Sequence, residues 1–259
     1  MKKNKEEILK ELNEAFDKFK FFPDDHHYEL NGVRVGTSVT RLIEDYGNEF
    51  DAELIAQKVA TRDGKTINQV LEEWKYKNEF ACTKGSTCHE FAQSLWSGEP
   101  WLLNDFDFST EYEMAVYKIK RQAEQFYEDY KDKLIHIADE YVVGSEEYDI
   151  ASAIDHLFMT SGGDVIIVDY KTNTTIKGYN DEAYQKPMKP PLQHLNDDKF
   201  THYKLQLSIY KYLIEKYTSI KIKEIIIVYF TEKNDHYETI QVPYLKDEVE
   251  EILEWRVLE

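Results

Sequence analysis

The chain has 259 residues, 42% of them hydrophobic, and a formal charge of −18. That is enough apolar material for one large domain or two small ones, and it excludes wholesale disorder. Only Cys82 and Cys88 are present, which excludes a disulfide framework and an iron–sulfur cluster held by cysteines.

No apolar run reaches the length of a membrane-spanning helix. The basic start, Met1-Lys2-Lys3-Asn4-Lys5, leads into an amphipathic pattern and not into a signal-peptide apolar block. The expectation is a soluble cytoplasmic protein with no membrane partner. The acidity argues against a phosphate-backbone binder, but it is uneven. Residues 165–230 hold ten lysines against seven acids, a local balance of +3 that leaves −21 for the remainder. An acidic body with a less acidic working region is compatible with nucleic acid without predicting it.

Residues 4–20 read as one helix, with Ile8, Leu12, Phe16 and Phe19 on a single stripe. Tyr28 to Val35 reads as a hairpin around Asn31-Gly32, the preferred type I′ turn. Thr37 or Ser38 caps a short helix containing Leu42 and Ile43. Residues 50–61 form the next helix, ending near Asp63-Gly64. Thr66 and Gln69 make a capping box for a third, to about Phe80. This gives a helical N-terminal part, residues 1–80, packed on a core of residues 81–259.

Lys84-Gly85-Ser86-Thr87-Cys88-His89 enters a further helix, closed by Gly98, with Ala92, Leu95 and Trp96 inward. His89 lies three positions before Ala92 and points towards the protein, as a hydrogen-bonded core residue or as a ligand. A capping box at Thr110-Glu111-Tyr112-Glu113 opens a long helix to about Lys131, with Ala115, Ile119, Ala123 and Phe126 inward.

A strand cluster follows. Leu134 to Val143 alternates, and Tyr148 to Met159 is mostly apolar except for Asp155. Ser161-Gly162-Gly163-Asp164 turns into Val165-Ile166-Ile167-Val168-Asp169-Tyr170-Lys171-Thr172, a strand that starts as a buried aliphatic run. Asp169 and Lys171 leave the same face, as a strand-end ion pair or as part of a site. If the loop is Ser161 to Gly163, Asp155 stands opposite Asp169, and a bound cation is the simplest way to make that pairing favourable. A two-residue turn at Gly162-Gly163 puts Asp155 on the other face.

Residues 173–200 hold three of the six prolines and no periodicity, with Lys177, Lys186 and Lys189 either solvated or facing a substrate. Phe200 to Tyr217 is a helix with Gln206 and Tyr210 on one face, and Tyr203 one turn earlier on it. Glu224 to Thr231 and Tyr237 to Val242 are strands, and a last helix starts near Lys246. There is no P-loop, no GxGxxG and no HExxH.

The order is the informative feature: His89, then Asp155 on a strand, then Asp169-Tyr170-Lys171 on the next, then Gln206 and Tyr210 on a helix. Carboxylates that hold Mg²⁺ or Mn²⁺ beside a lysine can activate water and steady charge on a phosphodiester. With these motifs in series the chain resembles the RecB-like branch of the PD-(D/E)XK nuclease superfamily, which includes the AddAB-type nuclease domains and the mitochondrial genome maintenance exonuclease. Gly85 to His89 resembles its GxxxH motif, and Ser152-Ala153-Ile154-Asp155 its motif ending in an aspartate. Val168 to Thr172 resembles its (D/E)xK motif, and Gln206 to Tyr210 its QxxxY motif. The likeness covers roughly residues 80–230. Ile154 stands where the family name has proline, and the cysteines of the iron–sulfur subgroup are missing.

The resemblance implies an α/β, restriction-endonuclease-like fold: a mixed central sheet flanked by helices. It implies that His89, Asp155, Asp169 and the Tyr170 carbonyl ligate Mg²⁺ or Mn²⁺, and that Lys171 orients or activates the attacking water. Gln206 and Tyr210 then position that lysine or touch DNA. Lys177, Lys186, Lys189 and Tyr203 are further DNA-binding candidates. Glu140, on the preceding strand, is a supporting candidate or an exposed strand acid. The implied activity is an exodeoxyribonuclease on single strands or duplex ends, in recombination, repair or replication. A structure-specific endonuclease and a non-catalytic DNA-binding subunit are the alternatives. A helical arch from residues 40–80, with the 173–200 loop, would admit a strand. The 19 Tyr, 13 Phe and 4 Trp suit base stacking, though most serve as core or surface. A recombinase, annealing protein or helicase is the expected partner, and a phage origin is plausible.

Overall fold

The computed structural model describes residues 3–99, 101, 110–179 and 186–258. The first two residues of the basic start, the Thr110 and Tyr112 side chains of the expected capping box, and residues 180–185 of the proline-rich segment lie outside the described residues.

Helix α1 (Lys5–Phe16) starts at a capping box between Asn4 and Glu7 and buries Ile8, Leu12 and Phe16. It stops short of Phe19. Asp17 closes the helix, and Phe19 lies instead on strand β1 (Phe19–Phe22), paired with Leu30 of β2 (His27–Leu30). Phe19 is still buried, so the same core is reached by a change of backbone. Strand β3 (Val33–Arg34) completes the hairpin, with Asn31 at φ 51° and Gly32 at φ 82° as a type I′ turn requires. Strand β4 (Thr37–Ser38) leads into α2 (Val39–Asp45), capped by Ser38.

Helix α3 (Ala52–Asp63) ends at Gly64 in the left-handed conformation. Helix α4 runs unbroken from Ile67 to Ser97, where two helices were expected, and crosses the proposed boundary at residue 80. Gly85 is tolerated inside it because its bare Cα faces the residue that follows β7: an added Cβ would lie 3.4 Å from the Thr172 hydroxyl. The outer halves of α3 and α4 share a small core of Ala56, Ala60 and Val70. Helix α5 (Thr110–Tyr130) buries Ala115, Ile119, Ala123 and Phe126, as its spacing predicts.

Strands β5 (Leu134–Ser145), β6 (Ile150–Thr160) and β7 (Val165–Lys171) form the centre of a six-stranded sheet. Helix α6 (Lys199–Tyr217) crosses over to β8 (Ile222–Tyr229), which runs parallel to β7. Strand β9 (Glu238–Gln241) and helix α7 (Lys246–Leu258) finish the chain. The sheet is mixed: β4 and β8 add parallel pairs to an otherwise antiparallel ladder. Apolar layers cover both faces, one around α1, α2, α6 and α7, the other around α4 and α5. The architecture is α/β, a mixed central sheet flanked by helices.

Candidate active site

The turn between β6 and β7 is the three-residue form. Thr160 and Asp164 close it, with the Thr160 amide donating to the Asp164 carbonyl at 2.8 Å. The ladder then runs from Met159 with Val165 to His156 with Val168. One step further in this register sets Asp155 opposite Asp169. The ladder stops there, and the Tyr170 amide donates to Asp155 Oδ2 at 2.9 Å. On this edge β6 pairs with β4 at Ile150 and Ala151 and with β7 only from His156. Residues 152–155 span the gap, and the site is built into it.

On the other edge, Asp139 pairs with His156 and Tyr141 with Ile154. Glu140 therefore lies across from Asp155. Three carboxylates, Glu140, Asp155 and Asp169, stand in a row over three neighbouring strands. Glu140 has φ 43°, a conformation that is strained outside glycine. A β-bulge between His136 and Ala138 sets this register. Among the described residues, donor atoms of His89, Glu140 and Asp155 lie within 4.8 Å of one another, close enough to share one cation. Glu140 thus stands with the acids of the site and not as an isolated strand acid.

Helix α4 carries His89 over the row. Its Nε2 donates to the Tyr170 carbonyl at 3.0 Å, and its Nδ1 lies 3.4 Å from Asp155 Oδ2. The Tyr170 side chain is wholly buried, and its hydroxyl accepts a hydrogen bond from Trp96 Nε1 at 3.1 Å. Lys171 Nζ stands 2.6 Å from Asp169 Oδ2. That oxygen is buried and has no well-angled hydrogen bond. Three acids in a row against the Lys171 ammonium suit an added cation.

The charges respond to burial and to each other. Burial pushes the Asp169 carboxyl up to about 6 against the pull of Lys171, and Asp155 adds to the rise. Burial also acts to raise Asp155, but His89, Lys171 and the Tyr170 amide outweigh it and hold that acid below its ordinary value. Desolvation, then the Asp155 charge, raises Glu140. Desolvation pulls Lys171 down, while Asp169 and Asp155 more than offset it and keep the amine charged.

Among the described residues, the hydrogen bonds of Gln206 and Tyr210 run to one another, to Thr40 and to Ser152. Gln206 Nε2 donates to the Tyr210 hydroxyl at 2.8 Å, and that hydroxyl lies 2.9 Å from Ser152 Oγ. This chain ties α6 to the open edge of β6. Tyr203, expected at the DNA, is the residue of α6 that touches the lysine. Lys171 Nζ stands 4.6 Å from its ring centre, and its hydroxyl donates to Asn173 Oδ1 at 2.8 Å. Lys177, Lys186 and Lys189 lie exposed on the segment after β7. Lys189 Nζ is turned to the Asp45 carbonyl at the end of α2, 3.2 Å away.

No family model matches the chain, and no curated protein does. Among solved structures, it is similar to a candidate exonuclease of Eubacterium rectale. That structure is 13% identical with a TM-score of 0.35, over 85% of this chain and 69% of that one. The functional reading therefore stands on the geometry of the carboxylate row and its lysine.

Proposed function

We propose that the chain is a divalent-metal-dependent deoxyribonuclease, acting as an exonuclease on single strands or duplex ends. The observation that carries this reading is the row Glu140, Asp155 and Asp169 across three strands, with Lys171 at its end and His89 above it. His89, Glu140 and Asp155 would hold the ion, with Asp169 and the Tyr170 carbonyl alongside. A bound Mg²⁺ or Mn²⁺ supplies a water activated near neutral pH and a counter-charge for phosphate oxygens.

The chain's own groups do the rest. Lys171 Nζ places a fixed positive charge where negative charge grows on the phosphate. Asp169 keeps that amine protonated, and the Tyr203 ring limits its swing. His89 Nε2 and the Asp155 carboxylate fix the Tyr170 peptide from both sides. The preference for ends draws support from the arm of α3 and α4, where Tyr76 on α4 and Phe50 just before α3 are exposed, rings on which a single strand can stack. A net charge of −18 disfavours unaided capture of duplex DNA, so a helicase, recombinase or annealing protein delivers the substrate in this reading.

The test uses end-labelled linear single strands, linear duplex and circular DNA, each with Mg²⁺ or Mn²⁺, beside Lys171→Ala. Metal-dependent loss of linear substrate by the native chain alone is expected. No cleavage of any substrate would sink the nuclease reading, and cleavage of circles would sink the exonuclease one.

A further inference from the structure

Behind the carboxylate row, on the opposite face of β6, lies a second cluster that the reading above does not use. The geometry points to a separate transition-metal site formed by His136, Asp139 and His156, of a kind that takes Zn²⁺.

The donors are two imidazole nitrogens and one carboxylate, and they lie within 4.8 Å of one another. Asp139 Oδ1 is 2.7 Å from His136 Nε2 and 2.5 Å from His156 Nδ1. In a regular strand, residues three apart face opposite sides. The bulge between His136 and Ala138 removes that alternation and brings His136 and Asp139 to one face. Asp139 then pairs across the ladder with His156. The same irregularity that aligns Glu140 with Asp155 on the front therefore assembles this trio on the back.

His156 supplies the second, independent observation. Its side chain is 3% exposed, and its Nδ1 is buried without a hydrogen-bond partner. The nitrogen faces Asp139 Oδ1 at 2.5 Å. The ring is wedged between Phe158, stacked at 5.6 Å, and Tyr170 at 4.5 Å, so it cannot turn away. A buried imidazole nitrogen fixed by its ring contacts and aimed at a carboxylate and a second imidazole is placed as a ligand of a shared ion would be.

Two nitrogens and one oxygen suit Zn²⁺ and its neighbours better than Mg²⁺, which prefers oxygen alone. Ligands on a tetrahedral zinc stand about 3.3 Å apart at Zn–N distances near 2.0–2.1 Å. Binding therefore needs the Asp139 oxygen to draw back by less than about 1 Å. The His136 side chain, 18% exposed, is the most open of the three.

This site does not depend on the nuclease reading. The test uses the full chain freed of metal by a chelator, as wild type and as His89→Ala, which removes the imidazole of the front cluster. Zinc chloride is titrated calorimetrically, Co²⁺ is followed by its visible absorption, and thermal unfolding is recorded with and without zinc. We expect one equivalent of zinc in His89→Ala, a raised unfolding midpoint, and Co²⁺ bands of a four-coordinate site. Adding His136→Ala should weaken zinc binding at least tenfold. His136→Gln serves as the second variant, with circular dichroism to confirm that each chain is folded. An unfolding midpoint in wild type and His89→Ala that ignores zinc overturns the proposal. So does zinc binding of equal strength with and without His136, or binding that vanishes with His89 alone.

Discussion

Asp155 Oδ2 accepts the Tyr170 amide at 2.9 Å, so this carboxylate completes the ladder where β6 and β7 part as well as carrying charge. The two roles separate by substitution. Asp155→Asn keeps an oxygen for the amide and relieves the repulsion with Asp169. It loses the pull of His89 and Lys171 on an ionised carboxylate, so it should unfold at a modestly lower urea concentration than wild type, while cleavage falls by a hundredfold or more. Asp155→Leu leaves the buried amide unpaired and should lose about 1–3 kcal/mol. Equal stability of the two variants would remove the ladder role.

Lys171 is the buried partner of Asp169. Lys171→Met should abolish cleavage and, at pH 8, destabilise the fold by about 3–5 kcal/mol, because an unpaired carboxylate is left behind. At pH 5 the loss should be smaller, since Asp169 can take up a proton. Adding Asp169→Asn should restore most of the stability without restoring activity. Chemical denaturation at the two pH values reads this out, and a loss that does not change with pH contradicts it.

Two acids on opposite faces should respond to pH with opposite signs. The Asp169 carboxyl is raised to about 6, above its unfolded value of about 3.9. The folded chain holds that proton more tightly, so the contribution is complete below about pH 4 and is lost as pH rises through 6. Asp139 is depressed to about 2, so its contribution is present above about pH 4 and is lost as pH falls towards 2. In metal-free buffer, Asp169→Asn should gain stability over wild type between about pH 4 and 6 and then level off. Asp139→Asn should be less stable than wild type above pH 4, and the gap should close towards pH 2. Parallel curves for wild type and either variant would contradict the assignment.

Tyr203 offers Lys171 a ring face at 4.6 Å. Such contacts are worth about 0.5–2 kcal/mol, roughly two- to thirtyfold in rate. Tyr203→Ala should lower kcat by that factor with little change in KM. Tyr203→Phe keeps the ring and should stay near wild type. A change confined to KM would place the residue at the substrate instead.

Gly144 on β5 lies against Phe19. A Cβ there would meet the ring at 2.7 Å and the Ile150 carbonyl at 2.9 Å. Gly144→Ala should cost about 1–3 kcal/mol through overpacking, seen as a lower unfolding midpoint. Gly144→Ala with Phe19→Leu should recover part of it if the ring is the main obstacle.

How far the sequence carried depended on whether each feature was local. The Ser161-Gly162-Gly163 turn admits two alignments, so the face shared by Asp155 and Asp169 was one of two discrete outcomes, and only the structure chose between them. Glu140 was harder to place. Its position beside Asp155 depends on a bulge and a positive φ, and a bulge leaves no mark on an alternating apolar pattern. His136 and Asp139 were hidden for the same reason, since residues three apart read as opposite faces. The break expected near Gly85 followed local propensity, which was overruled where the helix packs against Thr172. Phe19 was assigned to the right core and the wrong element, because a helix stripe and a following strand can bury the same side chain.

Helix α4 spans 31 residues without a hinge, about 46 Å at 1.5 Å per residue. Its first turns form the arm with α3, and His89 sits in its last third, against Asp155 and the Tyr170 carbonyl. The arm and the candidate metal centre therefore share one continuous helix, and a tilt of the arm carried along it would shift the His89 imidazole at the carboxylate row.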